Sequence, residues 1–494
     1  MSLGLRCAVP YERRLAMVCT DPIKFSRKLI VTLVPLVLCL VTAAPAIIAR
    51  PGEWTRITET ADSNIQEPAL ARTADGVLHV VWMRKNGAKR DLLHTALSKD
   101  GKLAGGPTSI LEAWATLDNP DLIITKDGGL RLFISGQRTT DIKDPHSQGA
   151  LTSATAPASG AAWKLEKGAH SQSKSVTASP VGAASLQDGT PVVAWAVSFA
   201  LQAHLGLDPK KEDMKFQTTC CSYQPDISVD DATGEAVLGW FSNARDEQGL
   251  YTQTIAPAAG ERQYVPDSAT PDRKAALSID QRMAITSRIG APGVFVAYGA
   301  GYPTFKTVNL WRHGTAQPAV IAQASGARHV NIAAGPEGRL WVMWERNRRV
   351  YATRSNRDAT RFGAVVEVAP PAGKAESGIY KVKGEGSVWP LDLLVACQSV
   401  NELATYHTQA LPGLSLTASP KSVAAAQGGT ITFQVSDAGD PVADATISIA
   451  GKSLTTDAEG HASYDLPKGA KAGAITATAS KAEYTPASAR VTVK

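Results

Sequence analysis

A phrase of about fifteen residues limits what this chain can fold into more than any other feature: an apolar strand, a tight turn and a second apolar strand ending on a large side chain. It reads PALARTADGVLHVVW at 68–82, PDLIITKDGGLRLFI at 120–134, PVGAASLQDGTPVVAW at 180–195 and PDISVDDATGEAVLGW at 225–240. Weaker copies follow as MAITSRIGAPGVFVAY at 283–298 and VNIAAGPEGRLWVMW at 330–344. Each is a hairpin on physical grounds, because β-branched and aromatic runs flank Asp-Gly, Asp-Gly-Gly or Pro-Glu-Gly, residues that tolerate the positive φ of such turns.

Successive copies start 52, 60, 45, 58 and 47 residues apart, the length of a four-stranded β-propeller blade. Third strands such as LLHTALSKDGK and LYTQTIAPAAG follow the hairpins, and short fourth strands such as AVVEVAP complete the unit. A degenerate seventh copy is IYKVKGEGSVWPLDLLVACQ at 379–398, and WTRITE at 54–59 would supply its missing outer strand and close the ring. Closure matters because an open ring leaves two bare sheet edges. The expectation is an all-β chain with a β-propeller over 54–411, seven blades favoured and six the alternative. Trp82, Ile134, Trp195, Trp240, Tyr298 and Trp344 end the phrases and are expected in the core between sheets.

The pattern stops at Leu411-Pro-Gly, and residues 414–494 show strands about every ten residues separated by Gly, Asp and Pro turns, which is a β-sandwich signature. The phrase GDPVADATISIAG with TTDAEGHASYDLP resembles bacterial Ig-like and carboxypeptidase-regulatory-like modules. That resemblance implies a spacer or adhesive unit.

At the other end, Arg27-Lys28, the apolar run LIVTLVPLVLCLV and then TAAPAIIA read as a signal peptide over 1–46, with an uncleaved anchor as the alternative. A secreted or cell-surface location follows. The leader carries four of the chain's six net positive charges. What remains is near neutral and has neither a basic helix nor an aromatic and basic strand, so nucleic acid is excluded as a partner. Apolar content of 44% with 19% charged residues suits a folded core.

No His-Glu-x-x-His helix, Gly-x-Ser-x-Gly elbow or phosphate loop occurs, and the nine histidines show no metal-ligand spacing, so neither cofactor nor metal is expected. Gly299-Ala-Gly-Tyr-Pro303 lacks the following helix of a dinucleotide site and reads as a loop. In a four-stranded blade, the chain entering the inner strand and the loop between strands two and three open on the same side, around the channel mouth. Those loops carry Arg84-Lys85-Asn86, Gln137-Arg138, Asn243-Ala-Arg245 and Arg346-Asn347-Arg348. Amides and guanidiniums suit a hydroxyl-rich or anionic ligand, so Arg84, Arg138, Tyr223, Asn243, Arg245 and Arg346 are ligand-binding candidates, against the plainer reading of solvated loop tips.

Ile65-Gln-Glu-Pro-Ala-Leu70 resembles the opening of sialidase-type (BNR-repeat) propellers, and Ser98-Lys-Asp-Gly101 resembles a degenerate Asp-box turn of that family. The likeness covers 54–411. It implies that the residue in the place of Gln66 contacts the substrate, that Asp91 falls near the acid/base aspartate and that Tyr380 resembles the nucleophilic tyrosine. The family has an arginine where this chain has Gln66, and an amide cannot make the bidentate charged contact with a carboxylate. No glutamate partner or further arginines align. The reading is therefore a non-catalytic extracellular binding or scaffold protein whose propeller face takes a glycan or protein partner. The alternatives are a divergent sialidase-like glycosidase or lyase using Asp91 and Tyr380, and a structural envelope component. A strand-capping Asp91 and a buried Tyr380 are the plainer assignments.

Beyond the leader only Cys220, Cys221 and Cys397 remain, an odd number for an oxidising compartment. A vicinal Cys220–Cys221 disulfide beside the mouth is the expectation, with a bridge from that pair to Cys397 as the rival.

Overall fold

The computed structural model describes residues 53–58, 67–175, 178–198, 200–217, 221–245, 247–272, 283–371, 378–399 and 402–494, without the side chains of Tyr380, Ser399 and Glu402. All of them fall in one compact unit, Ala49–Lys494. They are all-β, with one short 3-10 turn at Pro336–Gly338 and no α-helix among the described residues. The proposed leader, Gln66 and Cys220 lie outside them.

The first three copies of the phrase close their hairpins in the same way, and the fourth and fifth close one residue wider, from Asp230 N–H to the Glu235 carbonyl and from Arg288 N–H to the Gly293 carbonyl. Thr73, Thr125 and Leu186 each donate a backbone N–H to the carbonyl four residues on, at 3.0, 2.9 and 2.8 Å. Gly76, Gly128 and Gly189 turn each hairpin at φ of 87°, 81° and 89°, which is why the phrase ends its turn on glycine. Seven small antiparallel sheets follow one another among the described residues, each a meander. Their first strands are Ala69–Arg72, Asp121–Ile124, Val181–Ser185, Ser222–Val229, Ala284–Ser287, Arg328–Ala334 and Gly378–Glu385. Each first strand packs on the next, and the last packs on the first, as in a propeller.

Between these sheets lie the large side chains that end the phrases: Trp82, Ile134, Trp195, Trp240, Tyr298 and Trp344 are all 3% exposed or less. Gly182 marks how closely the sheets approach, since a Cβ there would stand 2.5 Å from the Cα of Asp226 on the next inner strand.

The join between the seventh and first sheets is both a strand pairing and a charge cluster. Thr55–Arg56 pairs antiparallel with Tyr406 and His407 on the outer edge of the seventh sheet. Arg72 of the first sheet is salt-bridged to Glu385 and Asp392 of the seventh, and His407 Nε2 lies 2.7 Å from Asp392 Oδ1. These side chains are almost wholly buried, so the charges are tolerable only because they satisfy one another.

Residues 414–494 form two further sheets around a separate apolar core that includes Ile431, Phe433, Ile447, Ala477 and Val491. Strands such as His461–Leu466 alternate exposed and buried along their length, the period-two pattern of a strand with one face on a core. This pair of sheets is fixed to the sixth and seventh sheets at the ends opposite the mouth. Arg354 is paired with Asp437, and its guanidinium lies 4.1 Å from the ring centre of Trp389 and 5.7 Å from that of Tyr484. Arg339 reaches Asp440 at 2.6 Å and Asp437 at 3.4 Å. With Arg354, Arg339 and Asp437 each at least 94% buried, the arrangement differs from a loosely hung spacer.

Candidate functional site

The mouth is built where the first strands begin. Lys381 Nζ of the seventh sheet stands 4.0 Å from Glu67 Oε1 just before the first, both side chains buried, and the Glu67 N–H donates to Asn119 Oδ1 ahead of the second at 3.0 Å. Asn119 in turn accepts the Val181 N–H of the third sheet on its backbone carbonyl at 3.0 Å. Farther round, the Met283 N–H of the fifth sheet donates to the Gln224 carbonyl of the fourth at 3.3 Å. Sheet is thus tied to sheet at this end of the inner strands.

Three inner strands are irregular at this end. Their registers shift between Tyr223 and Asp226, between Arg328 and Asn331, and between Ile379 and Lys381. Bulges of this kind re-aim side chains and collect near functional sites. Two of them hold a non-glycine residue in the left-handed region, Gln224 at φ 51° and His329 at φ 49°. Such strain costs about 1–3 kcal/mol and persists only where surrounding structure enforces it.

At the fourth sheet the strained bulge meets unsatisfied polarity. Ser222 Oγ, Gln224 Oε1 and Gln248 Oε1 are buried and have no hydrogen-bond partner. Cys221 is disulfide-bonded. Its backbone carbonyl accepts the Asn243 N–H at 2.8 Å, which brings the loop carrying Asn243 and Arg245 onto the start of the inner strand. Asn243 and Arg245 are exposed, while Tyr223 is half-buried with its phenol pKa raised by burial.

The fold therefore groups Cys221, Tyr223, Asn243 and Arg245 at one place and separates the rest. Arg84 donates to Asp91 Oδ2 from NH2 at 2.7 Å, and Asp91 Oδ1 accepts from Asn86 Nδ2 at 3.1 Å and from the Ala113 N–H at 2.8 Å. Burial raises the Asp91 pKa, but those donors outweigh it and hold the carboxyl below its ordinary value. Asp91 is thus arranged as a strand cap, with its carboxylate oxygens held by donors of its own sheet. Arg138 likewise closes on Asp144 through two contacts of 2.8 Å, so its guanidinium serves its own loop. Arg346 lies in the sixth sheet with its Nε buried and without an acceptor. Tyr380 sits on the inner strand Gly378–Glu385. Cys397 is buried on the second strand of the seventh sheet.

Ser222, Gln224 and Gln248 are absent from the sequence-based candidates. A visible signal was Pro225, because proline inside a strand run marks a bulge or an edge. Glu345 is another addition, a buried carboxylate opposite Arg328 in the sixth sheet. Burial raises its pKa, and the Arg348 N–H at 2.6 Å with the charges of Arg328 and Arg348 draws it part of the way back. No group of acidic, histidine or cysteine side chains suited to a metal occurs among the described residues.

No protein-family model and no curated protein matches the chain. Solved structures show partial likeness. A polysaccharide lyase aligns at TM-score 0.44 and 11% identity over 74% of this chain and 94% of its own. An α-L-arabinanase from Penicillium chrysogenum aligns at TM-score 0.41 and 13% identity, over 60% of this chain and 94% of its own. The fucose-specific lectin of Aleuria aurantia aligns at 0.38 and 12%, over 83% and 99%.

Proposed function

We propose that this chain is an exported, non-catalytic carbohydrate-binding protein, a seven-bladed propeller over 54–411 with an Ig-like sandwich over 414–494. On this reading residues 1–46 direct export to the cell surface or medium, and Cys221 pairs with Cys220. The observation that carries it is the trio of buried oxygens at the fourth sheet, Ser222 Oγ, Gln224 Oε1 and Gln248 Oε1, which lack donors. Leaving such an acceptor unsatisfied costs about 1–3 kcal/mol, and a ligand hydroxyl supplies the missing donor. Sugars present many hydroxyls on a compact frame, and the exposed Asn243 and Arg245 beside the trio supply donors to their oxygens.

The test is a glycan array together with isolated cell wall, comparing wild type with Gln224→Ala, Arg245→Ala and Arg346→Ala. Loss of binding in the first two supports the fourth-sheet site. Glycan binding that none of the three weakens moves the site elsewhere. Turnover on a fluorogenic glycoside panel, abolished by both Asp91→Asn and Tyr380→Phe, would replace binding with hydrolysis.

A further inference from the structure

We propose that Tyr302, in the loop Gly299-Ala-Gly-Tyr-Pro303, is an aromatic stacking subsite for a pyranose ring, an outer extension of the fourth-sheet site; the proposal rests on the glycan reading of the mouth. Tyr302 is 58% exposed, one of few large apolar side chains left to solvent among the described residues. Its loop joins the second and third strands of the fifth sheet, Val294–Ala300 and Thr307–Arg312, and so opens on the same side as Asn243, Arg245 and Arg346.

The ring is carried on a braced support. Lys306 N–H donates to the Ala300 carbonyl at 2.7 Å, the Lys306 carbonyl accepts the Ala324 N–H at 2.9 Å, and the Phe305 carbonyl accepts the Gly326 N–H at 2.8 Å. Phe305 packs so closely on Gly299 that a Cβ there would stand 2.6 Å from its ring. Gly301, at φ 117°, brings the backbone equally close to Lys306 N, where a Cβ would lie at 2.9 Å. An aromatic side chain on a short loop whose base is fixed by backbone hydrogen bonds leaves little backbone entropy to be lost on binding, which suits an anchor.

The loop also adjoins the proposed site. Ala300, its last strand residue, belongs to an apolar cluster shared by the fourth and fifth sheets, and Tyr223 packs against that cluster. The Gln224 carbonyl is tied to Met283 of the fifth sheet. On the other flank the sixth sheet presents the exposed Arg328 and Arg348. A pyranose has one apolar C–H face, which suits the phenol ring, and a polar rim, which suits amides and guanidiniums on either side. The occupant we assign is a sugar unit of a chain whose neighbouring units satisfy Gln224 and Ser222.

The experiment is calorimetric titration of the full chain with size-graded cello-, chito- and uronic-acid oligosaccharides, from disaccharide to hexasaccharide. Tyr302→Ala should weaken the best hexasaccharide about tenfold and leave the matching disaccharide unchanged, and Tyr302→Phe should restore the loss. Gln224→Ala should weaken both lengths. Unchanged hexasaccharide affinity in Tyr302→Ala, or equal losses at both lengths, overturns the outer subsite while the mouth reading stands. A wild type that binds none of these sugars overturns both.

Discussion

On the face that carries the junction with residues 414–494, buried charges pair with one another even though Arg354 Nε and Asp437 Oδ1 are left without a partner, whereas at the mouth end of the fourth sheet Ser222 and Gln224 on the inner strand and Gln248 before the third strand keep neutral oxygens with no donor. The first face shows what polar residues do when stability is their task. Arg354 has Asp437 and two aromatic rings, Arg339 has Asp440, and Arg72 has Asp392 and Glu385. The second carries left-handed Gln224, a backbone conformation that costs free energy. On the proposed reading, the contrast separates residues that hold the molecule together from residues that serve a ligand.

Breaking the charge-paired face should have the largest effect. Asp437→Asn leaves Arg354 and part of Arg339 without their buried counter-charge and should cost about 3 kcal/mol or more in chemical denaturation, with sugar binding retained below the transition. A loss near zero would mean that the junction is solvated and that the contrast between the faces is overstated.

Acid should attack the same side. His79 Nδ1 and His94 Nε2 lie 2.9 Å apart, buried between the first and second sheets, with Gly160 and Trp163 against His94 and Thr73 against His79. Burial lowers both pKa values, that of His94 to about 4, and the charge of His79 lowers His94 further while Asp75 partly opposes the effect on His79. The unfolded histidines take up protons below about pH 6.5 and the folded pair does not. Stability is therefore full above pH 6.5 and should fall by about 1.4 kcal/mol per pH unit for each histidine that stays neutral, down towards pH 4. His94→Gln should flatten that slope in melts taken at successive pH values; an unchanged slope places the acid-sensitive groups elsewhere.

The mouth should respond in the opposite sense. Gln224→Gly removes left-handed strain and should raise stability by about 1 kcal/mol while lowering sugar affinity, a trade visible by pairing thermal melts with titrations. Equal or lower stability would indicate that the Gln224 side chain supports the fold. The smallest effect on binding is expected for Asp91→Asn, because Asp91 caps its own hairpin; stability should drop and sugar affinity should stay. A selective loss of affinity would return Asp91 to the site.

The sheets were legible because hairpins are local. Thr73-Ala-Asp-Gly76 and its equivalents state their turn in four adjacent residues, and Trp82 or Trp240 states which face is buried. The outer strand Thr55–Arg56 was legible from the need to close an edge. The polar partnerships were not, because Arg354 and Asp437 are 83 residues apart and no periodicity marks them as a pair. For the same reason the pairing of Arg84 with Asp91 and of Arg138 with Asp144 was not read from the loops that carry the two arginines. The bulge at Gln224 escaped because one added residue leaves the alternating pattern on either side intact.

Amide hydrogen exchange of the whole chain, with and without the oligosaccharide that binds most tightly, tests the division between the faces most directly. Slowed exchange confined to 221–229, 243–250 and 300–307, with the junction peptides around Arg354 and Asp437 unchanged, is the expected result. Protection centred on the junction, with the fourth sheet's mouth end unaffected, would contradict it.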